Sequence, residues 1–95
     1  LKSETLFKLK IQKRLKEIPG VWFCKVQQIA IRGTPDLLIC YKGQFIAYEL
    51  KTDIGSPDAL QEYTLNNIRK AGGIGRIVSP SNIREVFKED FFEEF

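Results

Sequence analysis

Asp36, Glu49 and Lys51 stand at the open ends of one apolar hairpin, DLLICYKGQFIAYELK. Lys42-Gly43 suits a two-residue turn, which pairs Tyr41 with Gln44. Counting back from that turn sets Asp36 opposite Glu49. Opposed residues on one sheet face have Cβ atoms roughly 4.5–5.5 Å apart. Lys51 shares that face, because side chains alternate along a strand. Two carboxylates this close repel unless a cation neutralises them. A divalent ion does so well, and hard oxygen ligands suit Mg2+ or Mn2+. Lys51 can pair with either carboxylate, contact a phosphate or hold an attacking water. These parts are what metal-assisted phosphodiester hydrolysis requires.

The same residues have an ordinary structural use, since strand ends meet solvent and Asp, Glu and Lys are common there. Three features weigh toward a site. Pro35 fixes the backbone just before Asp36. Gly33 permits a tight approach upstream of it. Two helices also begin at the same place. Glu4 precedes Phe7 and Ile11 at helical spacing, so it falls on the apolar stripe that packs on the sheet. Gln61 stands likewise to Leu65 and Ile68. Taken singly, each has a simpler role: Glu4 complements the helix dipole, and Asp58 with Gln61 has capping-box spacing. Together with the hairpin they make a candidate site.

The elements that must carry these side chains are legible in outline. Phe7, Ile11, Leu15 and Ile18 mark a first helix, with Ser3 as its N-cap and Pro19-Gly20 as its stop. A strand follows from Val21, then hairpin strands at about 36–41 and 44–50. A second helix over about 58–71 ends at Gly72-Gly73, a pair suited to a left-handed cap. A fourth strand covers 74–79, and a last helix runs over about 82–92 with Asn82 and Glu85 placed for a capping box. Both hairpin strands are apolar on both faces, so the expectation is an α/β sandwich with helices on both sides of a central sheet.

Size bounds the answer further. With 95 residues, one domain spanning 1–95 is expected. The chain starts with Leu, so a few residues are expected upstream. No apolar run reaches the roughly 18 residues of a membrane span. Two cysteines without histidine cannot make an ordinary Cys/His zinc site. Cys24 and Cys40 lie in apolar runs and read as buried thiols in a reducing, cytoplasmic setting, with a disulfide as the alternative. Residues 1–32 carry eight Lys/Arg against two Glu, whereas 85–95 carry one Lys against five acids. A basic first third suits a polyanion, most commonly nucleic acid. Lys8, Lys10, Lys13, Arg14, Lys16 and Arg32 are the candidate phosphate contacts, a solvated helix face being the alternative. Lys25, Lys42, Arg69 and Lys70 are further candidates. No base-reading motif is present, which favours recognition of backbone or branch structure.

Gly33-Thr34-Pro35-Asp36, Glu49-Leu50-Lys51 and the downstream Gln61 resemble the PD-(D/E)XK nuclease superfamily. Within it they are most similar to the VRR-NUC domain, in its small stand-alone form of phages and bacteria. The resemblance covers nearly the whole chain. It implies a restriction-endonuclease-like αβββαβ core with a mixed central sheet, and a metal-dependent DNA endonuclease. Asp36, Glu49 and the backbone carbonyl of Leu50 would then hold Mg2+, with Mn2+ able to substitute. Lys51 would serve the water or the scissile phosphate, Gln61 would orient a phosphate or water, and Glu4 would sit at the edge of the metal site. Such relatives are often homodimers that cut branched DNA such as four-way (Holliday) junctions. One departure is Asp58, where the family often has Ser three residues before the Gln. Phe91, Phe92 and Phe95 either close the core or face a second subunit. The rival from another class is a non-cutting nucleic-acid-binding module of the same fold.

Overall fold

A computed structural model describes residues 3–27, 32–52 and 57–95. Helix α1 (Ser3–Glu17) leads into β1 (Val21–Lys25), β2 (Leu37–Tyr41) and β3 (Gln44–Leu50). Helix α2 (Ala59–Lys70), β4 (Ile74–Val78) and α3 (Ile83–Phe91) complete the order, so the expected αβββαβ core is followed by one more helix. The sheet order is β1-β2-β3-β4, antiparallel except for the parallel β3–β4 pair. That parallel pair needs a crossover, which α2 provides.

The hairpin turn sets the register of the centre. Lys42 and Gly43 both have positive φ, 51° and 79°. This is the primed turn whose twist matches the flanking strands. Tyr41 therefore pairs with Gln44 and Leu37 with Tyr48, as the turn predicts.

One face of the sheet carries the main core. Phe7, Ile11 and Leu15 of α1 meet Leu37, Ile39, Ile46, Tyr48 and Leu50 there, together with Ile83, Val86, Phe87 and Phe91 of α3. Within it, the Tyr48 hydroxyl donates to Asp90, whose side chain is fully buried. Arg76 Nε also donates to Asp90, at 3.0 and 2.8 Å from its two oxygens. Burial first, and the bond to Asp90 second, push the Tyr48 hydroxyl far up from its usual pKa.

On the opposite face α2 covers only β3 and β4. Gly75 lets it come close, since a Cβ there would lie 3.0 Å from the Leu65 carbonyl oxygen. Helices thus lie on both sides of the sheet, as expected, although α2 leaves part of its own face uncovered. The cross-strand row Trp22–Cys40–Phe45 stays open, with Trp22 63% and Phe45 43% exposed. Two buried cysteines were also expected. Instead Cys40 is exposed and Cys24 half-buried, because among the described residues no helix crosses β1 and β2 on this side, and both thiols are free.

Three local expectations change. Ser3 is itself helical rather than a preceding cap. Asn82 forms no capping box with Glu85. Its carbonyl oxygen accepts from Ser79 N–H (2.8 Å) and its amide donates to the Ile77 carbonyl (3.0 Å), so the side chain serves the loop before the helix. The terminal aromatics divide: Phe91 is buried, Phe95 packs edge-on against Phe87, and Phe92 is 83% exposed. Among the described residues, no helix is long and apolar enough to cross a membrane.

Gly33 docks the loop before Asp36 onto the start of α2. Its φ is +81°, and a Cβ would sit 2.7 Å from Leu60 Cγ and 3.0 Å from the Leu60 carbonyl oxygen. Gly33→Ala should lose about 1–3 kcal/mol of stability and shift the turn that carries Gln61. A urea midpoint unchanged to within about 0.5 kcal/mol would show that this contact is not a constraint.

Candidate functional site

The end of the hairpin is closed by side chains as well as by the ladder. Val26 N–H donates to the Asp36 carbonyl at 2.9 Å, extending the β1–β2 pairing past the last strand residue. The Asp36 carboxylate then crosses to β3, where Oδ2 accepts the Leu50 N–H at 2.8 Å. Lys51 N–H continues to the Val78 carbonyl at 2.9 Å. Asp36 is thus fixed to the backbone that separates Glu49 from Lys51.

Glu49 is 3% exposed, and its Oε2 receives Gln61 Nε2 at 2.8 Å and Lys51 Nζ at 3.4 Å. Burial above all, and the Asp36 charge after it, push its carboxyl up to about 7, against the pull of Lys51 and Lys8. Gln61 is held from both ends. Asp58 caps α2 by accepting Gln61 N–H at 2.8 Å, while Asp58 N–H donates to Gln61 Oε1 at 2.9 Å. The capping box and the site are therefore the same structure, and Gln61 here orients Glu49. Asp58 completes that box as Ser would, through one side-chain oxygen.

A solved structure, a VRR_NUC domain, superposes on this chain with a TM-score of 0.79. The match covers 96% of this chain and 99% of that one, at 22% sequence identity. The chain has the VRR-NUC fold. No protein-family model and no curated protein matches the sequence.

Within this VRR-NUC fold, α1 contributes a residue that charge patterning assigned elsewhere. Lys8 Nζ lies 3.5 Å from Asp36 Oδ1 and 3.5 Å from Glu4 Oε1, so it belongs to the site. Its position next to Phe7, on the flank of the buried stripe, was the available signal. Glu4 is not packed on the sheet as its spacing implied. It lies half-exposed at the first turn and reaches Asp36 only through Lys8. The other cations of α1 spread around the helix rather than along one face. Arg14 is engaged by Glu17 and by the Glu94 carbonyl, and Lys10 sits over the Phe95 ring. Lys13, Lys16 and Arg32 are exposed.

The donor set of this VRR-NUC fold fits a hard divalent cation. Among the described residues no group of three or more His, Cys, Asp or Glu side chains gathers as a ligand cluster. The side-chain ligands available are the Asp36–Glu49 pair. Mg2+ is commonly held by one or two carboxylates, completing its shell with waters and substrate phosphate oxygens. Two ammonium groups already approach these carboxylates, and a buried carboxyl raised to about 7 favours a stronger cation.

The same shift predicts a pH effect on stability. The folded protein holds the Glu49 proton more tightly than the unfolded chain, whose value is near 4.5. The resulting stabilisation is fully present below the unfolded value and is lost as pH rises through about 7. In EDTA, melting temperature should fall between about pH 5 and about pH 8 more steeply than in Glu49→Gln. Mg2+ should raise it most at the upper pH, where the carboxylate is ionised. Equal slopes in the two proteins would sink the assignment.

Proposed function

We propose that this chain is a metal-dependent DNA nuclease that hydrolyses phosphodiester bonds, selecting branched DNA such as four-way junctions. The observation that carries the reading is the meeting of Asp36, Glu49 and Lys51 at one mouth of the hairpin, with Lys51 Nζ 3.4 Å from Glu49. Asp36, Glu49 and the Leu50 carbonyl would hold Mg2+ or Mn2+. Such an ion supplies a Lewis acid for the phosphate and lowers the pKa of bound water. Lys51 orients the attacking water and meets charge developing on the phosphate. Attack by water forms one P–O bond and breaks another; the water gives up a proton to solvent, and the leaving sugar oxygen takes one up. Gln61 keeps the Glu49 carboxylate in place, and Lys8, itself positioned by Glu4, balances Asp36 until substrate and metal arrive.

The reading includes a homodimer in a reducing cytoplasm, since two sites suit paired nicks in a symmetric junction. A non-cutting nucleic-acid-binding module is the second reading. In its favour, Lys8 and Lys51 already compensate both carboxylates. End-labelled four-way junction, flap, linear duplex and single-stranded DNA, each with Mg2+, Mn2+ or EDTA, separate the two. The nuclease yields metal-dependent products, most abundantly from the junction. Salt-sensitive binding with no product on any substrate would establish the module instead.

A further inference from the structure

A second recess opens at the same end of the sheet as the carboxylates, on the α1–α3 side. It is a cavity of about 240 Å3 lined by Phe7, Lys10, Pro80, Ser81, Arg84 and Phe95. One helix and one strand end link it to the candidate site. Phe7 in its wall precedes Lys8, which touches Asp36. Pro80 and Ser81 lie in the loop after β4, one residue past its end, and the last residue of that strand, Val78, accepts the Lys51 N–H. The loop wall is held in shape by Asn82, which bonds both Ser79 and Ile77.

The lining has a definite chemistry. Lys10 and Arg84 bring two positive charges, and among the described residues neither forms an ion pair. The nearby acids of the tail and helix are engaged elsewhere: Glu94 faces Lys88 at 3.9 Å and Glu17 faces Arg14 at 2.7 Å. Lys10 Nζ lies 5.3 Å from the centre of the Phe95 ring, which is itself anchored edge-on against Phe87. Two cations and an aromatic ring lining one cavity suit a nucleotide, with phosphate on the charges and sugar or base against the ring. The volume falls below the roughly 300–1,000 Å3 of sites that enclose whole small molecules. One unit of a longer polymer fits it better than a free metabolite.

We infer that this cavity is a flanking subsite, taking one nucleotide of the bound strand next to the cleaved phosphate. The inference rests on the nucleic-acid reading above and adds Arg84 and Phe95 to it. Both cations lie at the surface, so Lys10→Ala/Arg84→Ala should fold, as an unchanged melting temperature would verify. Lys13→Ala/Lys16→Ala removes the same charge from candidate phosphate contacts of α1 that do not line the cavity, so it should weaken DNA binding in general and leave any position-specific effect in place.

Two measurements test it. In EDTA, the log–log salt dependence of binding to duplex DNA should weaken by about 0.9 in the Lys10/Arg84 variant, the loss of one neutralised phosphate. In Mg2+, KM should rise about tenfold, with kcat within about twofold. Substrates shortened one nucleotide at a time on each side of the cut provide the deciding comparison. Wild type should lose affinity at one particular truncation, and the Lys10/Arg84 variant should show no step there. A truncation step lost equally in the Lys13/Lys16 variant, or one that survives in the Lys10/Arg84 variant, would overturn the subsite while leaving the nuclease intact. A wild-type protein that neither binds nor cuts DNA would overturn both. An excess of mononucleotide that abolishes the truncation step without reducing binding of the shortened substrate would support the same pocket.

Discussion

Asp36→Asn is expected to lower metal-dependent DNA cleavage by at least about a thousandfold, the upper range for losing one preorganised electrostatic partner, while DNA affinity and the fold persist. The substitution is nearly isosteric, and the amide oxygen can still accept the Leu50 N–H that Asp36 takes at 2.8 Å. The end of the hairpin therefore stays closed. What is lost is the negative charge facing Lys8 at 3.5 Å and one of the two carboxylates available to a metal. An amide NH2 in that place points donors at an ammonium and gives a divalent ion one neutral oxygen at most. Lys51→Ala should cost a comparable factor by another route, since it takes the cation away from Glu49 and from the phosphate. Initial rates on the best DNA substrate, with binding measured in EDTA, check both. Cleavage by Asp36→Asn within about tenfold of wild type would remove Asp36 from the metal site.

The largest loss of stability is expected at Asp90 of α3, outside the candidate site. Asp90→Ala should cost about 3–5 kcal/mol, the range for breaking a buried ion pair by removing one partner. That is a large part of the 5–15 kcal/mol available to a domain of this kind. The cause is what remains behind. Tyr48 is completely buried and would keep a hydroxyl with no acceptor, and the Arg76 guanidinium would lose its two-oxygen partner. Glu89, 3.4 Å from Arg76 and at the surface, offers only a weak replacement. Tyr48→Phe removes one hydroxyl and leaves the Arg76 pair intact, so it should cost nearer 1 kcal/mol. Urea unfolding of the two variants separates these outcomes. An Asp90→Ala loss below about 1 kcal/mol would mean that α3 is held by its apolar face alone.

These two residues also mark where a sequence can and cannot be read. The register that carries Asp36 toward Glu49 was legible because a two-residue turn with positive φ at Lys42 and Gly43 admits one register, and side chains alternate in a fixed way from there. The stripe of α1 and the Asp58–Gln61 box were legible for the same reason: partners three or four residues apart are set by the helix itself. Asp90 gave no such signal. In FKEDFFEEF it is one of several acids, and only the packing of α3 under β3 and β4 singles it out for Tyr48 and Arg76.

Lys8 and Cys40 have the same lesson with opposite outcomes. Lys8 looked like one of five surface cations, yet the angle at which α1 crosses the sheet brings it to Asp36. Cys40 looked buried, yet α2 lies over β3 and β4 and leaves it beside an exposed Trp22. Residue order alone set the elements, the hairpin register and the end of the hairpin to which both carboxylates come, because each depends on near neighbours along the chain. Which helix face meets which strand was decided by tertiary packing, because that depends on crossing angles summed over many small contacts, and no short stretch of residues encodes those.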